Sequence, residues 1–469
     1  MASSSLKLPP GPTGPLASVL NVLQQERDPL GIFVRGQRKY GDIVQYSMGP
    51  VRLVLLSHPD YVKHILTDNV QNYPKPGHGV RGMLLGRGLF RSDGDYWKRQ
   101  RRLVQPAFSR ERISGMGLST AVASTQKMLE RWEAHARSGE AFDVAPEMSE
   151  LTRAMVCRLV FTEDLVTIPG PFRDALWRVM YLHTHRVKAM YARFPIPLPS
   201  VKRWRRDFQE AIQQFDSSIY ALIEKRRRSS GNEDDMLSIM MAAREPDSGQ
   251  GMSDEQLRDE AVNIVAAGHE ATATTMTWVW AMLGRYPDVE RRVREEVATV
   301  LGDRTLTAQD LPRLRYTSMV LDEVLRLYPA AWTLAREVVA DDRIGGYDIP
   351  ARSLVTVLSY IMHQHPSFWE NPEVFDPERF TPERSAGRPR FCYIPFGGGQ
   401  RLCIGDRLAQ LQILVSLTMT LQRYQVSLAS DAPVRVEATS TLRPLGGLRV
   451  RLSPYRASLR PSVLSGTGT

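Results

Sequence analysis

The segment Phe396-Gly397-Gly398-Gly399-Gln400-Arg401-Leu402-Cys403-Ile404-Gly405 sets one thiol behind three glycines and just before a helix-forming stretch that opens at Asp406. Three glycines permit positive φ and a close approach of the backbone to a flat ligand. A cysteine at a helix N-terminus is favoured as thiolate by the dipole and the free N–H groups. Thiolate, not thiol, ligates iron, and its electron donation to a haem promotes O–O cleavage. For an isolated Gly-Gly-Gly-x-x-x-Cys, the competing reading is a buried structural cysteine in a glycine-rich turn.

A second group of chemically capable residues falls where a helix should not want them. Ser253-Asp254-Glu255-Gln256 has the form of a capping box, and Pro287 follows an end near Tyr286. About 33 residues at ~1.5 Å each make a rod of roughly 50 Å. Its middle, Ala261 to Trp280, is largely apolar and belongs in a core, yet it carries Gly268, His269, Glu270, Thr272, Thr274 and Thr275. A mid-helix glycine costs about 1 kcal/mol against alanine, and a buried glutamate needs a partner. Local rules broken together at one place mark a functional site.

The elements that must position these groups read as one large unit. Helical patterns dominate from about Asp95 to Leu327, after a mixed start with strand-like runs such as Arg52 to Leu56. A short β-rich stretch around Ile344 to Leu358 precedes a Pro-rich irregular segment and a last helix from Asp406 to about Arg423. The fold class is mainly α with a minor β part. Residues 1–15 form a Pro/Gly-rich entry, 16–460 the domain and 461–469 a tail.

Composition narrows the remaining choices. Cys157, Cys392 and Cys403 include no C-x-x-C pair, so zinc-ribbon and thioredoxin motifs are excluded and a reducing compartment is expected. The apolar run Leu16 to Leu23 is far shorter than the ~20 residues of a membrane span, so a soluble, cytoplasmic monomer is expected, with peripheral membrane contact left open. The net charge of +10 gathers at Lys98 to Arg102, Arg203 to Arg206 and Lys225 to Arg228. Solvated helix faces account for such runs. No nucleic-acid motif accompanies them, so no nucleic-acid partner is expected, while an acidic protein partner is the further reading.

The whole pattern F-x-x-G-x-R-x-C-x-G, Phe396 to Gly405, resembles the haem-binding loop of the cytochrome P-450 superfamily, and further matches follow in that family's order. Glu323-Val324-Leu325-Arg326 is similar to the K-helix E-x-x-R. Phe375-Asp376-Pro377-Glu378-Arg379-Phe380 resembles the meander, so Glu323, Arg326 and Arg379 are expected to form a structural triad. Trp97-Lys98-Arg99-Gln100-Arg101 is similar to the C-helix W-x-x-x-R. With Arg336 and Arg401, Trp97 and Arg101 are expected at the haem propionates, beside Phe396 and the iron ligand Cys403. The resemblance implies a long central I helix, haem b between the I and L helices, and use of O2.

Ala267-Gly268-His269-Glu270-Ala271-Thr272 resembles the I-helix oxygen-activation pattern, with one departure. The acid is present as Glu270, but Ala271 stands where the family places threonine. Thr272 sits about 100° further round the helix. Proton delivery is therefore expected from Glu270 through ordered water, helped by Thr272 or a substrate hydroxyl. His269 reads as a helix-face histidine, not an iron ligand.

The same resemblance places substrate contacts at Met83, Leu84, Leu85 and Phe90, in the span Trp177 to Phe194, at Ala267, and at Ala331 and Trp332. That apolar lining favours a terpenoid, fatty acid or other lipid-like molecule. No dinucleotide fingerprint is present in a strand–helix context, so NAD(P)H electrons are expected through an acidic ferredoxin or flavodoxin and its reductase. Lys98, Arg99, Arg102 and Arg407 are the expected docking cations. A monooxygenase is the leading expectation. A peroxide-driven peroxygenase or haem-thiolate isomerase is the alternative, and a non-catalytic haem sensor the third.

Overall fold

In the computed structural model, residues 6–76, 84–162, 178, 199–228 and 234–455 are described. Met83 and all but Arg178 of the span Trp177 to Phe194 lie outside them.

The long helix runs from Asp254 to Arg285. Its capping box is formed in both directions: Gln256 N–H donates to Ser253 Oγ at 3.2 Å and Ser253 N–H to Gln256 Oε1 at 2.9 Å. Satisfying orphan donors at that end fixes where the helix starts. From Ala273 to Leu283 every residue is buried, so this half is core on all sides. It packs along the helix Val144–Phe161, and Gly268 explains how closely: a Cβ there would lie 2.9 Å from Val156 Cγ2. That glycine serves helix–helix packing.

The Asp406–Arg423 helix follows the cysteine loop, packs on the helix Leu118–Ser138 and is buried along most of its length. The minor β part is a four-stranded sheet in the order Ile43–Met48, Val51–Leu56, Leu354–Leu358, Thr333–Glu337. Its first and last pairs are antiparallel and its central pair parallel, with Arg336 opposite Val355. The Pro/Gly-rich entry is tied to the sheet by Gln45 and Ser47 N–H groups donating to the Pro10 and Pro12 carbonyls. A second antiparallel pair, Val436–Ala438 and Leu442–Pro444, turns through residues 439–441 against the long helix.

Candidate functional site

The cysteine loop is built from close backbone contacts. Cys403 N–H donates to the Phe396 carbonyl at 3.0 Å, closing the loop on itself. Gly397 and Gly399 adopt positive φ, 75° and 64°, whereas Gly398 is extended. A Cβ on Gly399 would fall 2.1 Å from the Leu66 carbonyl oxygen. The close approach expected toward a flat ligand is thus, at Gly399, an approach to neighbouring backbone. Cys403 keeps accessible surface, yet protein atoms crowd it, and burial pushes its thiol above the ordinary range. The Gly405 N–H works the other way but is outweighed. An iron cation is the counter-charge that would reverse this.

Behind the loop, the expected triad is assembled and buried. Glu323 accepts from Arg326 Nε at 2.6 Å and Nη2 at 2.7 Å, and from Arg379 Nε at 3.3 Å. The remaining Arg326 N–H groups reach the His363, Pro372 and Val374 carbonyls, so all five of its donors are used. His363, unmarked in the sequence reading, extends the network. It is neutral, held down at about 3 by burial and then by Arg326. Its Nδ1 donates to the Arg326 carbonyl, and its Nε2 accepts from Ile394 N–H, two residues before Phe396.

A second ionic cluster has the opposite character. Arg401 stacks over Trp97 at 3.9 Å, pairs with Asp93 and donates to the Ser92 carbonyl at 2.8 Å. Arg336 is buried, and its side chain makes one hydrogen bond among the described residues, to the Ala335 carbonyl. Burial, then Arg401, pushes its guanidinium down to about 10. Lys75 joins them, its Nζ donating to the Phe90 carbonyl at 2.6 Å. Burial, then Arg401 and Arg336, push Lys75 down to about 7. Three cations face one carboxylate, Asp93, which is the electrostatics of a receptor for an anion with two charges. The sequence reading missed Lys75, whose signal was its fixed setting between Pro74 and Pro76. Arg101 donates to the Leu402 carbonyl at 3.3 Å and to Gln105, touching the cysteine loop through backbone.

The long helix holds the walls by its polar side chains. Toward its start, Asp259, Glu260 and Asn263 accept from the backbone N–H groups of Arg87, Leu89 and Phe90. Asn263 also donates to the Leu85 carbonyl at 2.8 Å. Past the middle, Glu270 Oε1 accepts from Ser440 Oγ at 2.5 Å and Thr441 Oγ1 at 3.3 Å, while Thr274 donates to Thr441. Trp278 donates to the Leu442 carbonyl. Between these two clamps, Ala267 and Ala271, four residues apart, keep accessible surface on one face.

Several expectations are corrected by these contacts. Thr272 is buried and its hydroxyl donates to the Gly268 carbonyl, so it is turned into the helix and has no free donor for the Ala271 face. Leu84 and Leu85 are packed in the main core, and Trp332 in the sheet-side core with its indole N–H on the Thr439 carbonyl. The neighbours Ala331 and Thr333 are exposed on either side of Trp332. Phe90 is exposed, with the Lys75 ammonium 4.9 Å from its ring centroid. His269 is buried against the Val265 carbonyl, as a core histidine. Of the expected docking cations, Lys98 pairs with Asp95, and Arg99 and Arg102 with Glu245; Lys98, Arg102 and Arg407 are exposed and Arg99 is half-buried. Among the described residues, no cluster of three or more His, Cys, Asp or Glu could hold a metal, and no helix is long and apolar enough to cross a membrane.

A glycine-rich cysteine loop, three cations set against one carboxylate and a helix with a small-residue face are the parts a haem-thiolate oxidoreductase requires. The Cytochrome P450 family model matches residues 9–448, and the chain belongs to that family of haem-dependent, O2-using monooxygenases. It is 31% identical over 459 residues to cyclooctatin synthase of Streptomyces melanosporofaciens, covering 94% of this chain and 91% of the relative. Pentalenene oxygenase of Streptomyces avermitilis is 30% identical, with 94% and 96% covered. The cytochrome P450DA heme domain superposes with a TM-score of 0.87 at 27% identity, covering 96% of this chain and 98% of that one. Retinoic-acid-bound cyanobacterial CYP120A1 gives 0.82 at 26% identity, with 96% and 100% covered.

Proposed function

We propose that this monooxygenase oxidises a terpenoid-class substrate, placing one atom of O2 in a C–H or C=C bond and reducing the other to water. The carrying observation is the accessible Ala267–Ala271 face, small and apolar, between two loops clamped to the same helix. Such a wall recognises shape and apolar surface, and offers no fixed charge to a polar substrate. The relatives named for cyclooctatin and pentalenene point the same way.

Haem, when bound, supplies the oxygen chemistry, and this chain's residues supply the rest. Cys403 is the iron ligand, and Lys75, Arg336, Arg401, Trp97 and Arg101 receive the propionates. Glu270 accepts hydrogen bonds from the Ser440 and Thr441 hydroxyls, and these three groups are the chain's route for passing protons between water and the distal face. Electrons come from NAD(P)H through an acidic ferredoxin or flavodoxin, with Arg407 in the docking face. The peroxide-driven alternative rests on one observation: Ala271 lacks a hydroxyl and Thr272 is engaged elsewhere.

A binding screen decides the substrate class. Cyclic terpenes are expected to shift the haem spin state at micromolar concentration while fatty acids of equal size do not. The reverse order would refute the terpenoid reading. Turnover with peroxide matching that with a ferredoxin, its reductase and NADPH would favour the alternative.

A further inference from the structure

His363 joins two segments that lie far from it in sequence. It follows the short helix Ser359–Met362, is fully buried, and has a partner at each ring nitrogen. Nδ1 lies 3.2 Å from the Arg326 carbonyl oxygen, and Nε2 lies 2.8 Å from the Ile394 nitrogen. A carbonyl can only accept and an N–H can only donate, so the two contacts admit one form of the ring: neutral, with its proton on Nδ1. Both backbone groups would otherwise be orphaned. Arg326 stands in the last turn of the helix Arg315–Leu327, where carbonyls lack intrahelical partners. Ile394 is buried and precedes Pro395, which has no N–H to offer in its place. Arg326 answers through its side chain, donating from Nη1 to the His363 carbonyl at 2.9 Å.

We infer that His363 is a positioning residue for the iron ligand, carrying the rigidity of the Glu323–Arg326 pair into the loop that holds Cys403. Beyond the ring the route is all backbone. The Ile394 carbonyl accepts from Gly397 N–H at 3.0 Å, and the Phe396 carbonyl, within that turn, accepts from Cys403 N–H at 3.0 Å. Ile394 thus fixes the turn that receives Cys403, and His363 fixes Ile394. A residue needed only to fill the core would do so without two polar atoms to desolvate. Groups outside a metal's own ligands set where those ligands are held, and a loop free to shift loosens the bond from sulfur to iron. This inference rests on Cys403 as the iron ligand and deepens that reading.

The test compares His363→Phe, which keeps a ring and loses both bonds, with His363→Gln, whose amide keeps one donor and one acceptor. The readout is how fast the haem-loaded, reduced, carbon-monoxide-bound protein loses the Soret band of thiolate ligation. His363→Phe is expected to lose it roughly tenfold faster than wild type, and His363→Gln to recover most of that difference. Equal rates in wild type and His363→Phe, or a His363→Gln protein as fast as His363→Phe, would overturn the inference. A wild type without the band would instead refute Cys403 as the ligand, which keeps the two failures apart. Deuterium exchange of the haem-free wild type needs no variant and decides the matter if His363→Phe does not fold. There the Ile394 N–H should exchange no faster than the amides of the Arg315–Leu327 helix, and fast local exchange at Ile394 would overturn the inference.

Discussion

Two ionic clusters flank the cysteine loop, one buried around Glu323 and one partly exposed around Asp93, and they differ in how their donors are used. Around Glu323, Arg326 has an acceptor for each of its five N–H groups, and Arg379 reaches Glu323 and the Glu370, Asn371 and Val374 carbonyls. Around Asp93, Lys75, Arg336 and Arg401 share one carboxylate, and Arg336 has one acceptor among the described residues. A saturated cluster is a fold-holding device, because any removal orphans a buried charge. An undersaturated one is a receptor, because its folding cost is recovered only when an anion arrives.

The largest expected effect breaks the first cluster. Glu323→Ala leaves two guanidinium groups buried without their carboxylate, and should cost about 3–5 kcal/mol. Urea unfolding of the haem-free protein reads it, and a loss below about 1 kcal/mol would dissolve the distinction between the clusters. Next, Arg336→Gln should speed haem loss roughly 10- to 100-fold, as expected for about 1.5–3 kcal/mol of charged hydrogen bonding. Transfer to a haem-scavenging globin measures that rate. Here the haem-free protein should be as stable as wild type or more so, which a fold-holding arginine would not allow. Lys75→Met should act in the same direction but less strongly, since Lys75 sheds its proton near pH 7.

An undersaturated acid sharpens the contrast through pH. Glu260 is buried, with Oε2 on the Leu89 N–H and no partner for Oε1 among the described residues. Burial pushes it up to about 7. The folded chain keeps this proton while the unfolded chain releases it near the ordinary glutamate value of ~4.3. Stability therefore falls as pH rises from about 4.3 to about 7. Glu260→Gln removes that loss and should gain about 3–4 kcal/mol at pH 8 relative to its effect at pH 4. Melts that respond equally at both pH values would contradict the burial argument. The smallest effect is at Thr272. Its hydroxyl serves the Gly268 carbonyl, so Thr272→Ala should leave product formed per NADPH within about twofold, consistent with a cost of less than ~0.5 kcal/mol. An abolished coupling would return Thr272 to the proton path.

Much of this architecture was legible in the residues. Capping chemistry and Pro287 delimited the long helix, and three-residue spacing brought Glu323 to Arg326, because both depend on near neighbours in sequence. The F-x-x-G-x-R-x-C-x-G loop is local for the same reason. What was not legible depends on contacts distant in sequence. Gly268 serves Val156, Gly399 serves Leu66, and Glu270 meets a turn 170 residues later. The two glycines looked like signals for a ligand in one dimension and are packing contacts in three, and Glu270, read as the acid of the oxygen helix, also clamps a distant turn. Lys75 escaped for the converse reason: its depressed pKa arises from arginines more than 260 positions away.

The central claim is that Cys403 binds iron as thiolate within a cation-lined haem site. The most direct measurement is the absorption spectrum of the reduced, carbon-monoxide-bound protein beside Cys403→Ser. Wild type is predicted to show the red-shifted Soret band of thiolate ligation, and Cys403→Ser to lose it while the fold, read by circular dichroism, persists. A well-folded, haem-loaded wild type without that band, or a Cys403→Ser protein that retains it, would contradict the account.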